Sequence, residues 1–215
     1  MKKTAGLVIA FVVLGTGVSL LAWLTAGAGG GSVEDLARSS DPNEREAAAE
    51  RLGRSKDDKA VKMLRDLARD KNGWVAVKAV RSLGARQTDT RRQTLAEMVT
   101  DRSLAGGTRG AAAATYGSFE GADSGLLTET LTKDPDPKVR EGAAKGLVRL
   151  RKPETLPQLV EALSDSDAKV RAYANAAIHN MIVRRYPFDP KAAPPSQQQT
   201  IEKIKSYLRK CDMLK

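Results

Sequence analysis

A ten-residue pattern returns five times along this 215-residue chain, and its regularity limits the accessible folds more than any other feature. The copies begin at residues 44, 75, 108, 139 and 170, so they lie 31, 33, 31 and 31 residues apart. The fifth position is alanine every time: Ala48, Ala79, Ala112, Ala143 and Ala174. The ninth is large and apolar or aromatic: Leu52, Leu83, Tyr116, Leu147 and Ile178. Positions one, five and nine are four apart and share one helix face. A small alanine in the middle of that face lets a neighbouring helix come close, and the ninth residue fills the core beyond it. These ten residues are the expected repeat core. A unit of this size cannot bury its apolar face alone, so the copies must stack.

The residues around each copy mark helix ends. Three residues before the copies stand Asp41, Asn72, Ala105, Asp136 and Asp167, of which four can accept from the free amides of a helix N-terminus. Pro42 and Pro137 follow at the first helical position, where a missing N–H costs nothing. Gly53, Gly84 and Gly117 end three copies, where a left-handed residue closes many helices. A second stretch of spaced apolar residues follows each of the first four copies, near 58–69, 90–99, 124–132 and 153–164. Aromatic residues make up only 4% of the chain, a balance that suits closely packed helices better than a sheet. The expected fold is all-α, an α-solenoid of about five helical hairpins.

The pattern Asp-x-x-Val-Arg-x-x-Ala-x-x-x-Leu-Gly resembles the short HEAT repeats first named from phycobilisome lyase subunits. The resemblance spans residues 39–181 and is clearest in the fourth copy. It implies a ladder of aspartates and arginines between repeats, here Asp41 with Arg45, Asp136 with Arg140, and Asp167 with Arg171. Arg109 matches the arginine position but has Ala105 in place of the aspartate, and the second copy has Asn72 and Ala76. The third repeat is two residues longer, through 102–107, so irregular curvature is expected there. The connection and last helix also resemble the tail of some bacterial HEAT proteins.

Residues 5–24 carry no charge and follow Lys2 and Lys3. Such a run spans about 30 Å as a helix, the thickness of a bilayer core. It is expected to be an uncleaved signal anchor over residues 1–26, with Trp23 at the interface. A signal peptide cut near Ala26-Gly27-Ala28 is the alternative. Either way the lysines keep the N-terminus cytoplasmic and send the remainder across, giving a single-pass periplasmic or a secreted protein. A Gly-rich tether over 27–38, the solenoid over 39–183, a Pro-rich connection over 184–195 and a capping helix over 196–215 complete the expected organisation. The last helix begins with a capping box, Ser196-x-x-Gln199. It carries an apolar stripe of Ile201, Ile204, Tyr207, Leu208 and Cys211, and a basic face of Lys203, Lys205, Arg209 and Lys210. Cys211 is the single cysteine, which excludes an intramolecular disulfide.

The net charge of +10 raises nucleic acid as a partner, but its distribution argues against it. Residues 4–183 hold 26 basic and 23 acidic side chains, interspersed. The sequence has no Gly-x-Ser-x-Gly, no His-Glu-x-x-His and no Walker loop. The single histidine, His179, ends the fifth copy, and the pairs Asp57/Asp58 and Asp165/Asp167 fall at helix boundaries. No catalytic residue, cofactor or metal site is expected, and the protein is read as no enzyme. The expected function is a membrane-anchored scaffold that holds a protein or peptide on a concave surface lined by the second helices. Two alternatives follow from the resemblance: a bilin lyase-like or other enzyme-accessory protein, and a HEAT-like nucleic-acid-binding protein. A small-molecule substrate is not expected.

Overall fold

The computed structural model describes residues 31–214. The expected anchor over 5–24 lies outside these residues. Among the described residues no helix is long and apolar enough to cross a membrane.

Five helical hairpins follow one short leading helix. The leading helix is α1 (Val33–Arg38). The first helices of the hairpins are α2 (Pro42–Arg54), α4 (Gly73–Leu83), α6 (Gly106–Tyr116), α8 (Pro137–Leu150) and α10 (Ala168–Met181). The second helices are α3 (Asp58–Leu67), α5 (Asp89–Thr100), α7 (Ser124–Lys133), α9 (Leu156–Glu161) and α11 (Pro194–Lys210). Short 3-10 turns at Pro153–Thr155 and Ala162–Ser164 flank α9.

The repeat pattern explains the stack. Asp41, Asn72, Asp136 and Asp167 each accept from a backbone amide one or two positions inside their helix. All five alanines at the fifth position are fully buried, and Leu52, Leu83, Tyr116, Leu147 and Ile178 are buried with them. All of them but Ala48 belong to one continuous apolar core, to which the second helices add Leu64, Leu95, Leu127 and Leu159. At the last repeat, Ile201, Ile204 and Leu208 of α11 are buried, which puts α11 in the place of a second helix.

Several local expectations need correcting. Residues 33–38 are helical rather than tether, because Val33 and Ala37 reach the core and Glu34 pairs with Lys59 at 2.8 Å. Gly84 and Gly117 end their helices in the ordinary right-handed region, with φ of −73° and −63°, and Gly53 lies inside α2. Their role is close packing between repeats. A Cβ on Gly117 would meet the backbone of Gly146 in the next first helix, and one on Gly84 would meet the Thr115 side chain. The extra residues of the third repeat form the turn before α6, and Ala105 offers that helix no side-chain cap. The capping box at Ser196 does not form: α11 starts at Pro194, and Ser196 Oγ donates to the Ala193 carbonyl at 2.7 Å. Two prolines with fixed φ and no N–H begin the helix earlier than the serine would. Cys211 is exposed at the end of α11, one turn beyond the last buried residue.

Candidate interaction groove

The arginine column has other partners than those expected. Arg45 donates from Nε and Nη2 to both carboxylate oxygens of Asp70, at 2.5 and 2.9 Å. Arg140 does the same to Asp165 at 2.8 and 3.0 Å. Arg109 reaches Asp134 through both terminal nitrogens, at 2.6 and 3.3 Å, and its Nε has no partner. Each pair joins residues 25 apart, a first helix to the turn that opens the next hairpin. Asp41, Asp136 and Asp167 stay with their caps. The aspartate two residues before the next cap accepts from the cap's own amide and at the same time faces the arginine of the previous repeat. Arg171 has Ser196 at that spacing, and donates instead to the carbonyls of Pro190 and Ala192 in the connection, at 2.9 and 3.2 Å. Arg45 and Arg140 also donate to carbonyls at the start of their own repeats. The second repeat has Ala76 in the arginine position; there Arg69, after α3, pairs at 2.5 Å with Asp101 at the end of α5, joining the first and second hairpins.

These pairs are shielded, and their electrostatics follow. The Arg45 guanidinium holds the Asp70 carboxyl below the usual carboxylate range, although burial opposes it. Burial pushes the Asp134 carboxyl up, but hydrogen bonds from Arg109 and the Asp136 amide outweigh it and the net direction is down. The spacing of 25 residues was a readable signal: an aspartate stands 25 residues after Arg45, Arg109 and Arg140 alike.

Arg91 on α5 was not singled out by the repeat pattern. It is 2% exposed and has no carboxylate partner; it donates to the carbonyls of Leu52, Gly53, Ser55, Ser82 and Leu83. Those carbonyls close α2 and α4, so one guanidinium sits against the negative ends of two helix dipoles. Burial pushes its pKa down, with the Arg86 charge adding to the effect. His179 is half-buried, and its Nε2 accepts from the Tyr186 amide at 3.5 Å, so it helps fix the connection after α10.

The described residues form an open groove of about 1070 Å³. It crosses α4, α6, α8 and α10, all of them first helices. This is the opposite side from the second helices, where the partner surface was expected. Close packing of glycine and alanine explains the groove. A Cβ on Gly142 would meet the Gly110 carbonyl, and one on Gly110 would meet the Lys138 carbonyl, so α6 and α8 touch backbone to backbone. With Ala111 and Ala114 beside them, nothing rises from the floor to fill the space.

Longer side chains form the rim. Arg81, Lys138, Lys145, Arg149 and Lys169 are basic, and Glu141 is the one acid among the lining residues. Glu141 is engaged by Lys145 at 2.5 Å, and the same ammonium lies 4.7 Å from the centre of the Tyr173 ring. Burial works against the charge of Lys145, but Glu141 and Tyr173 hold its pKa above the ordinary lysine value. Arg149 donates to the Ala114 carbonyl at 3.0 Å. Trp74, 69% exposed, stands at the α4 end. Among the described residues no cluster of His, Cys, Asp and Glu has the arrangement of a metal site.

Comparison with known proteins agrees with this architecture. The profile of HEAT repeats matches residues 32–117 and 125–195. Curated proteins gave no match. Among solved structures, two engineered proteins are similar at 21% and 25% identity. The first match covers 70% of this chain and 79% of the other, with a TM-score of 0.45. The second covers 70% and 81%, with a TM-score of 0.42. A computationally designed armadillo repeat protein for modular peptide recognition is similar at 21% identity over 80% of this chain and 86% of its own, with a TM-score of 0.41.

Proposed function

We propose, from the premise that the chain belongs to the HEAT-repeat family, that it is a binding scaffold whose groove along the first helices receives a protein or peptide. One observation carries this reading. Four successive first helices leave an unfilled channel with glycine and alanine on its floor, and flank it with long polar and aromatic side chains. Stacked repeats can offer such an extended surface without any single reactive group. Binding, with no catalysis, is the role proposed for it.

The finer reading places this scaffold on a membrane. Residues 5–24 are apolar enough to serve as an anchor, and the two lysines before them orient it with the solenoid outside the cytoplasm. Mass of the mature protein tests this part: an intact N-terminus supports the anchor, and a chain starting near Ala28 replaces it with a cleaved signal.

Site-specific photocrosslinking in the native host tests the groove. A photoreactive residue at Ala111 is expected to capture a discrete partner, and one at Glu161 on the second-helix side is not. Capture from Glu161 alone would overturn the reading.

A further inference from the structure

We infer that the groove takes an acidic peptide segment in extended conformation, about eight residues long, with an apolar side chain laid on Trp74. This rests on the proposed reading of the groove as a peptide site and names its occupant. Three observations on the same surface carry it.

The first is charge. Arg81, Lys138, Arg149 and Lys169 line the groove with no carboxylate within ion-pair distance among the described residues. The only lining acid is already held by Lys145. On the neighbouring surface several charges are paired: Lys59 with Glu34, Arg65 with Glu97, Arg69 with Asp101, and Lys78 with Glu46 and Glu50. An excess of uncompensated cations in one channel is complementary to an anionic chain.

The second is shape. The backbone contact of Gly110 with Gly142, with Ala111 and Ala114 beside it, leaves only small side chains on this part of the floor, so a strand can lie close to it. Neighbouring helices pack about 9 Å apart, so four span roughly 27 Å. An extended chain rises about 3.3 Å per residue, which makes the fitting length about eight residues.

The third is Trp74. It is a large apolar side chain left 69% exposed at one end of the channel. A single aromatic anchor in a polar groove is a common way to hold one side chain of a partner. It also favours a peptide over single-stranded nucleic acid, which uses a succession of open aromatic faces. The other ring in the groove, Tyr173, is already covered by Lys145.

The test is selection of random octapeptides on the full-length chain, repeated on two variants. Lys138→Glu with Lys169→Glu reverses two exposed charges, and Ala111→Trp fills the floor. Circular dichroism checks that both variants keep the parent's helix content. Acidic octapeptides carrying an apolar residue are expected to be enriched on the parent, and lost on both variants. Their affinity is expected to fall about tenfold or more between low salt and 0.5 M salt, where charges are screened beyond a few ångströms.

Enrichment of neutral or basic peptides, lost on Ala111→Trp, would overturn the acidic occupant and leave the groove reading standing. Peptides insensitive to Ala111→Trp, or no enrichment at all, would overturn both. A single-stranded octanucleotide that binds more tightly than any selected peptide, and is lost on the same variants, would assign the groove to nucleic acid and overturn the inference.

Discussion

Arg91 shows how much one residue can hold in a stack of short helices. Its guanidinium satisfies carbonyls at the ends of α2 and α4 together, and no other side chain donates to these five. Arg91→Met keeps the stem and takes the side-chain donor from the Gly53, Ser55 and Leu83 carbonyls, while those of Leu52 and Ser82 keep backbone donors. A buried polar group left unpaired costs about 1–3 kcal/mol. The expected loss is about 3 kcal/mol by urea unfolding; a loss below about 1 would show that water replaces the guanidinium. His179 gives a residue-scale pH effect. Burial, with the nearby Arg185 charge, lowers its pKa below the ordinary histidine value. A base with a depressed folded pKa binds its proton less well folded than unfolded. Its contribution is complete above about pH 6.5 and is lost as the pH falls through the folded value. Thermal midpoints are expected to drop between pH 7 and pH 5 in the parent. His179→Gln keeps an acceptor without the titration, and its midpoints should stay level over that range.

At the scale of elements, contacts between consecutive hairpins outweigh local helix preference. Gly142 is a clear instance. Alanine is favoured over glycine inside a helix by about 1 kcal/mol, so propensity alone makes Gly142→Ala stabilising. The added Cβ would meet the Gly110 carbonyl, and the two helices would have to part. Overpacking of this kind costs about 1–3 kcal/mol, so net destabilisation is expected. Gly107 is the control: nothing lies within 4 Å of its Cβ position, and Gly107→Ala should be neutral or slightly stabilising. Calorimetry of the two variants decides the point. The buried arginine–aspartate pairs tie the same hairpins electrostatically. Asp70 has a lowered pKa, so its contribution is present above about pH 4 and fades as the pH falls through the folded value. Asp70→Asn leaves Arg45 without its partner and is expected to cost about 3 kcal/mol at pH 7. The gap from the parent should narrow below pH 4; a gap independent of pH would contradict the pairing.

From Val33 onward the hairpins stack on their neighbours, and the last of them needs a cover. Ile201, Ile204 and Leu208 of α11 cover the last hairpin, and Arg171 ties the connection leading to it. A chain ending at Met181 would expose Ile178 and Leu163, both fully buried in the intact stack. Open solenoid ends self-associate. This truncation is expected to sediment as oligomers, and a monomer as stable as the full chain would show that α11 is dispensable. The groove is likewise a property of the whole stack, since no one helix contains it.

Much of this architecture was legible in the sequence. Ala48, Ala79, Ala112, Ala143 and Ala174 announced the seam because helix periodicity alone puts positions one, five and nine on one face. The caps at Asp41, Asn72, Asp136 and Asp167 were equally local, since a side chain needs only the next turn to accept from it. Partnership across repeats was not local. Arg45 pairs with Asp70 rather than Asp41 because the turn after α3 brings that carboxylate against the guanidinium. Arg91, at no recurring position, meets its carbonyls only once two hairpins have stacked. The same holds for Gly84 and Gly117, which read as helix stops and proved to be points of close approach. The sequence by itself determined the repeat, its core face and its caps, because each depends on residues within a turn or two. Only the tertiary structure decided which helices line the groove and which charges stay unpaired, because both depend on how closely neighbouring backbones approach.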